Sequence, residues 1–212
     1  MGRFFRGLVW IAGILAILGV LLRLTLFNIW TVPDDPSLAA SVAPTLAEGD
    51  ALLLLTRGSP GFGDLVRCVD PYDAQRFVVG RVAGVEGDVV ETEGRRLRVN
   101  GRAYDGQSSC PKPTLTILHP TTLSEVKIRC DVVEMGAGWH YRGYAPTPFK
   151  ATSMTREVGP GMLFLISDNR DFHQDSRDFG AIPAASCPNR IVSRLLGKEG
   201  WGDSERRFTY IH

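Results

Sequence analysis

The chain has 212 residues, a length that suggests one domain with extra segments or two small domains. Its 44% hydrophobic content is sufficient for a packed core, and a net charge of +1 gives no overall positive field. Composition therefore argues for a globular protein and against one that binds nucleic acid.

An apolar segment opens the chain. Residues 7–22 carry no charge, Arg23 interrupts them, and apolar residues continue to Trp30. About 20 such residues cross a bilayer as a helix, so we predict a transmembrane signal anchor over residues 7–30. Arg3 and Arg6 place residues 1–6 in the cytoplasm. A cleaved signal peptide is the alternative, but the apolar run is long for one, and small-residue triplets lie well beyond it.

Residues 31–212 are then expected to form an extracytoplasmic domain of mostly β structure. Its first residues predict a linker, because Pro33 and Pro36 break helices. Short apolar runs with β-branched residues, separated by Gly, Asp and Pro, predict strands. Asn100-Gly101 predicts a hairpin turn, since both positions take positive φ. The segment from about 100 to 160 has fewer chemical motifs and is interpreted as an insertion or subdomain.

Four cysteines fit an oxidising compartment. Cys110 and Cys130 bracket a segment containing Pro and Thr and are the favoured disulfide, while Cys68 and Cys187 can pair or stay free. The chain has no CxxC pair, so we expect no zinc site, and no sequence feature calls for a metal or other cofactor.

Three segments contain residue types that carry chemistry. They are, in chain order, SVAPTLAEGD (Ser41–Asp50), GRVAGVEGD (Gly80–Asp88) and SDNRDFHQDSRDFG (Ser167–Gly180). Taken alone, each has a plain interpretation as a serine near a turn, a β-hairpin and a solvated charged turn. Together, behind an apolar N-terminal segment, they resemble the motifs of bacterial type I signal peptidases. The resemblance covers most of the chain, and the third motif is the longest and most specific.

The resemblance implies a signal peptidase-like β-barrel or β-sheet catalytic domain with one N-terminal transmembrane helix. It also implies a serine endopeptidase that removes N-terminal signal peptides from exported preproteins. The expected place is the bacterial inner membrane, with a single span and the catalytic domain on the periplasmic side. Expected partners are preprotein signal peptides and the lipid bilayer, and not nucleic acid. Ser41 matches the family's nucleophile.

The general base departs from the family pattern. Signal peptidases of the bacterial branch pair the serine with a lysine, and the matching residue here is Gly80. Arg81 cannot replace that lysine, because its guanidinium does not deprotonate and the next residue of a strand faces the other way. His173 stands where the family has a serine beside the dyad, and Phe172 replaces an asparagine. We predict that His173 is the replacement base, with room for its ring left by Gly80.

The remaining matched residues are expected to shape the site. One of three carboxylates, Asp168, Asp171 or Asp175, is expected to orient the His173 ring. The residues predicted to shape the site are Arg81, Asp168, Asp171, Asp175, Ser176 and Arg177, of which Asp175 and Arg177 form an ion pair. The oxyanion donor would be the Ser41 N–H, because Ala39 offers no hydroxyl.

Other interpretations stay open at this point. A catalytically inactive homologue would bind signal peptides or the export machinery without cutting, consistent with the loss of the lysine. A substrate-assisted or water-mediated mechanism is a further variant. A purely structural envelope protein would make Ser41 and His173 irrelevant.

Overall fold

The computed structural model describes residues 2–147 and 152–211. The side chains of residues 2–4 and 22–24, those of Arg3 and Arg23 included, lie outside the described part. The helices are α1 (Gly2–Thr25), α2 (Pro36–Val42) and α3 (Ser176–Phe179), with a 3-10 turn at Ala184–Ser186. The strands are β1 (Phe27–Thr31), β2 (Ala51–Leu55), β3 (Leu65–Val69), β4 (Phe77–Gly84), β5 (Val89–Glu93), β6 (Arg96–Val99), β7 (Arg102–Ala103), β8 (Ser108–Leu118), β9 (Glu125–Met135), β10 (Gly138–Tyr144), β11 (Ser153–Glu157), β12 (Met162–Ile166), β13 (Ile182–Pro183), β14 (Asn189–Leu196) and β15 (Thr209–Tyr210).

The domain is mostly β, which confirms the predicted fold class in its broad form. Its principal sheet is a curled half-barrel with the antiparallel order β1-β2-β14-β3-β4-β12-β13, and β15 pairs with β14. Strands β10-β9-β8 form a second sheet and β11-β5-β6-β7 a third. The segment predicted as an insertion, about 100–160, is divided between the second and third sheets. Asn100 and Gly101 adopt positive φ, 51° and 78°, in the turn between β6 and β7.

The N-terminal helix ends earlier than predicted. Helix α1 stops at Thr25, and Phe27–Thr31 form β1, which pairs along its whole length with β2. Trp30, the last residue of the predicted anchor, therefore packs against the core next to the principal sheet. An apolar run alone does not distinguish the last turn of a helix from a strand that follows it.

The described apolar side chains of α1 are exposed, from Phe5 to Leu21. Among the residues that the structure describes, no helix is both long enough and apolar enough to cross a membrane.

The segment expected to be a linker contains a short helix, which corrects the prediction. Pro36 is the first residue of α2, a position where proline is tolerated because its missing N–H would have no partner in the helix. Asp35 caps the helix by accepting hydrogen bonds from the N–H groups of Ser37 (2.9 Å) and Leu38 (3.2 Å). Pro36 therefore starts a helix, although it was predicted only to break one.

Helix α2 lies between two apolar layers. Leu38 and Val42 are buried in the core cluster that includes Leu52 and Leu54 of β2. Ala40 and Ala43 belong to a different cluster, centred on Ile128 of β9. The seven residues of α2 are thereby held between the principal sheet and the second sheet.

The domain has two disulfides, one within each of these layers. Cys110 and Cys130, the pair favoured by the sequence, join β8 to β9. Cys68 of β3 pairs with Cys187, just after the 3-10 turn, within the core of the principal sheet.

Candidate active site

Ser41 is the penultimate residue of α2 and is completely buried, with 0% of its surface exposed. Its hydroxyl donates a hydrogen bond to the Leu38 carbonyl one turn earlier, at 2.9 Å. The N–H of a residue at this place in an α-helix points to the carbonyl four residues earlier, here Ser37. The predicted oxyanion donor, the Ser41 N–H, is therefore directed into the helix in this conformation.

The backbone joins the first motif to the third. The Asn169 N–H donates to the Ser41 carbonyl at 2.9 Å. Asn169 lies in the turn that follows β12, and its Oδ1 accepts the N–H groups of Asp171 (3.2 Å) and Phe172 (3.1 Å). On the other side, Gly143 of β10 donates to the Asp168 carbonyl at 2.9 Å and accepts from the Arg170 N–H at 2.8 Å.

The second motif reaches the third through a buried ion pair. Arg81 of β4 holds Asp168 with two hydrogen bonds, Nε to Oδ1 at 2.7 Å and Nη2 to Oδ2 at 3.2 Å. Its Nη1 donates to the Gly63 carbonyl at 3.1 Å, and the Thr45 hydroxyl of the first motif also donates to Asp168. Both charged side chains are 1% exposed, so Asp168 connects all three motifs from inside the protein.

A second buried carboxylate, Asp175, shapes the third motif. It accepts the Ser167 N–H at 2.7 Å and pairs with Arg177, whose Nη2 lies 2.7 Å away. Burial alone would raise the pKa of Asp175, but the charge and hydrogen bonds of Arg177 outweigh it and hold the pKa well below its usual range. Ser176 completes this frame by accepting the Leu165 N–H at 2.8 Å.

Asp171 acts at the edge of the same frame. Its carboxylate accepts from Arg95 Nε at 2.8 Å and from the Ala145 N–H at 2.7 Å. It thereby ties the turn after β12 to the residue that follows β10. The residues predicted to shape the site all make such contacts.

The partner of His173 differs from the three predicted ones. His173 Nδ1 lies 2.8 Å from Asp178 Oδ2, while Asp168, Asp171 and Asp175 are each engaged by an arginine. Asp178 is well placed because it is in the first turn of α3, where the same oxygen accepts the Asp175 N–H at 3.0 Å. A carboxylate accepts only, so Nδ1 must carry the proton. Nε2 is then left as an acceptor, which is the tautomer that a general base needs.

The nucleophile and the predicted base are not in contact. Within the described residues, no hydrogen bond joins Ser41 to His173, since the serine bonds to Leu38 and the histidine to Asp178. His173 is also partly open to solvent, with 29% of its side chain exposed.

The space beside Gly80 corrects a further expectation. A Cβ placed on Gly80 would lie 3.2 Å from the Leu165 Cβ and 3.3 Å from the Ile166 carbonyl oxygen. The absent lysine has therefore not left room for the His173 ring at this point, because β12 fills it. A side chain there needs β12 to shift by a few tenths of an ångström.

His140 was not singled out from the sequence. It lies in β10, is buried, and has Nε2 3.8 Å from Asp168 Oδ1 without a hydrogen-bond partner among the described residues. Burial, followed by the charges of Arg81, Arg170 and Arg142, holds its pKa well below 6.5, so the ring is neutral. A single histidine in an alternating strand gives no sequence signal of this environment.

Arg170 is the second buried group that the sequence did not predict. Burial lowers its pKa to about 9, helped by Arg177 and Arg142 and opposed by Asp168 and Asp175. Its Nη1 donates to the Ser167 carbonyl, while Nε and Nη2 find no partner among the described residues. The interior behind the third motif is therefore rich in cationic groups.

One group of potential metal ligands occurs in the described residues, formed by His173, Asp175 and Asp178. Their ligand atoms lie within 4.8 Å of one another. Asp175 is saturated by Arg177 and Ser167, and Asp178 by His173 and the Asp175 N–H. We interpret the group as the hydrogen-bonded cap of α3.

Comparison with known proteins gives one strong result. The family described as "Signal peptidase, peptidase S26" matches residues 5–196, nearly the whole chain and all three motifs. No curated protein matches the sequence. With most of its length and its three connected motifs matched, this chain belongs to the peptidase S26 family of signal peptidases.

Proposed function

We propose that this protein is a serine endopeptidase that removes signal peptides from exported preproteins, with Ser41 as nucleophile and His173 as general base. The family is one of serine peptidases that act on signal peptides. The observation that carries the proposal is the His173–Asp178 pair, which holds the imidazole in the tautomer of a base.

In this mechanism, His173 Nε2 takes the Ser41 proton as Oγ attacks the scissile carbonyl carbon. Asp178 stabilises the imidazolium that forms. The imidazolium then protonates the departing amine as the C–N bond breaks, and a water hydrolyses the ester by the same steps. The Ser41 hydroxyl must first leave the Leu38 carbonyl, so the reaction needs a local rearrangement of α2 and of the turn that carries His173.

Asn169 is our candidate for an oxyanion donor. Its Nδ2 is buried without a hydrogen-bond partner among the described residues, although its Oδ1 accepts two backbone N–H groups. Its own N–H is bonded to the Ser41 carbonyl, which places the residue next to the nucleophile. A buried donor without a protein partner is available to a developing negative charge.

We further propose that the protein works at a bacterial inner membrane through its N-terminal segment, as a single-pass protein with the domain on the periplasmic side. Membership of the family suggests membrane association. The apolar sequence of residues 7–22, preceded by Arg3 and Arg6, supports the finer topology. Two disulfides are consistent with an oxidising compartment.

A second candidate function is a homologue that binds signal peptides or export machinery without cutting. Two observations favour it. Gly80 occupies the place of the family's lysine, and the Ser41 hydroxyl is buried and bonded within its own helix.

The test uses the full chain in detergent with a preprotein substrate. The variants are Ser41→Ala, His173→Ala and, as a matched control in the same helix, Ser37→Ala. We expect cleavage by the unaltered chain and the Ser37→Ala variant only. If the unaltered chain cleaves no faster than the Ser41→Ala variant, the protein is not a peptidase and the binding function is favoured. Full activity in the His173→Ala variant would contradict only the role of His173 as base.

A further inference from the structure

A hairpin packs over the helix that carries Ser41. The outer part of strands β8 and β9, with the turn between them, forms this cover hairpin (residues 114–128), while the rest of β9, residues 129–135, pairs with β10. Ile128 of the hairpin belongs to the same buried cluster as Ala40 and Ala43, the two alanines on either side of the Ser41–Val42 pair. Leu115, Ile117 and Val126 pack against this cluster as well.

The hairpin is two-sided. Leu115 and Ile117 of β8 are half-buried, while Thr116 and Leu118 between and after them are exposed. This alternation means that one face of β8 is directed at α2 and the other at solvent. The contact with α2 is made by the buried Ile128 and by half-buried aliphatic side chains over two alanines.

Phe172 contacts the hairpin near its turn. Its ring belongs to the same cluster and lies 5.3 Å from the His119 ring, edge to face, in the turn of the hairpin. His119 is itself fixed there, since its Nδ1 accepts the N–H groups of Thr121 (3.2 Å) and Thr122 (3.3 Å). Phe172 directly precedes His173, so one turn holds both the closed hairpin and the proposed base.

We propose that the cover hairpin is a gate, closed in this structure, which must lift from α2 and Phe172 before a peptide reaches Ser41. This regulatory role rests on the proposed function, because a gate controls activity only if Ser41 is a nucleophile. It explains together why Ser41 is completely buried, why its hydroxyl bonds within its own helix, and why an aromatic ring stands at position 172, where the family pattern has asparagine. An asparagine would not fill the apolar cluster under the hairpin.

The gate can be tested without any catalytic activity. A Ser41→Cys substitution introduces the single free thiol, since all four native cysteines are disulfide-bonded. Its alkylation by iodoacetamide is measured in the folded, non-reduced protein and compared with the rate after denaturation. Second substitutions are Phe172→Asn, Ile117→Asn on the docked face of β8, and Leu118→Asn on its exposed face as the matched control.

We expect slow alkylation in Ser41→Cys alone and an increase of about tenfold or more with Phe172→Asn or Ile117→Asn, because each weakens the closed state. Leu118→Asn should leave the rate unchanged. A thiol that reacts as fast in the folded as in the denatured protein overturns the gate, and so does a rate that neither Phe172→Asn nor Ile117→Asn increases.

Amide hydrogen exchange of the unaltered chain gives a second measurement if a variant fails to fold. Residues 115–126 should exchange faster than the hydrogen-bonded core strands β2 and β14, and equal protection would overturn the gate. Preprotein cleavage is assayed in parallel. If alkylation of Ser41→Cys shows the expected gate but the unaltered chain does not cleave, the peptidase proposal is wrong and the gate stands. If the unaltered chain cleaves but alkylation shows no gate, the gate is wrong and the peptidase proposal stands.

Discussion

The buried frame of the third motif and the proposed reacting pair differ in how completely they are assembled. Asp168 and Asp175 are buried, and each is held by an arginine in a bidentate arrangement. Within the described residues, the side chains of Ser41 and His173 each have one hydrogen bond, and neither is to the other. The frame is therefore complete in this conformation, while the proposed chemistry needs Ser41 and His173 to exchange their present hydrogen-bond partners for each other.

The difference indicates where the family's residues have been kept. Asp168, Asp175 and their arginines match the signal peptidase pattern. The departures at Val42, Gly80, Phe172 and His173 lie at the proposed reacting groups or next to them. A frame residue is fixed by several buried partners at once, so a substitution there costs folding free energy. A reacting residue is less constrained by packing. Four substitutions test this contrast.

The largest effect is expected at the proposed base. Asp178→Asn removes the carboxylate that fixes the tautomer of His173, and should reduce cleavage by about 10⁴-fold, because the imidazole can then present the wrong nitrogen. Initial rates with a preprotein measure this. The unfolding free energy should fall by only about 1 kcal/mol, the cost of a lost helix cap. Activity within about tenfold of the unaltered chain would contradict the role of Asp178.

The next effect concerns the frame. Asp168→Ala removes the carboxylate that forms the buried ion pair with Arg81. The free energy of unfolding should fall by about 3–5 kcal/mol, as measured by denaturant titration. Asp64→Ala is the matched control, because its pair with Arg190 is partly exposed and should contribute about 1 kcal/mol or less. Equal losses in the two variants would show that Asp168 is not the connection between the motifs.

Asn169→Asp sharpens the boundary between frame and chemistry. Aspartate keeps the oxygen that accepts from residues 171 and 172, but replaces the unpaired Nδ2 with an oxygen. We expect kcat to fall by about 10²–10³-fold with little change in KM, since an oxyanion donor acts on the transition state. A raised KM with unchanged kcat would assign Asn169 to substrate binding, and an unchanged kcat/KM would remove it from the site.

The smallest effect is a pH dependence of stability at His140. Its pKa is lowered in the folded state, so the unfolded chain binds more protons below about pH 6.5, the ordinary value, and stability is lost as the pH falls through that range. The slope should approach about 1.4 kcal/mol per pH unit below pH 6. Denaturant titrations at pH 7.5, 6.5 and 5.5 should show that His140→Phe flattens this slope. Identical slopes in both proteins would show that His140 does not titrate on unfolding.

Sequence reasoning predicted the parts of the protein that depend on local pattern. Strand-forming runs and the Asn100-Gly101 turn predicted a mostly β fold, and the three motifs identified the family before any coordinates. The ion pair of Asp175 with Arg177 was also predicted, because the two residues are two positions apart in one motif. Two local predictions were wrong, since Pro36 begins a helix and the apolar run after Thr25 becomes a strand.

The partners of the buried groups could not be predicted in this way. Three aspartates were predicted as possible partners of His173, and the actual partner is a fourth one, Asp178. Its position in the first turn of α3 directs its carboxylate toward the His173 ring. His140 had no sequence signal, because its environment is made by strands distant in the chain. Arg170 lies in the third motif, but its burial was not visible in the sequence. The packing of β12 beside Gly80 likewise depends on the pairing of two strands more than 80 residues apart.

The sequence by itself determined the family and the residue types available for chemistry, because these depend on the order of residues along the chain. Only the tertiary structure decided that Ser41 is completely buried, that Asp168 joins three motifs, and that His173 pairs with Asp178. Burial, charge pairing and access to solvent arise from contacts between distant segments, and it is these contacts that set whether a serine and a histidine can meet.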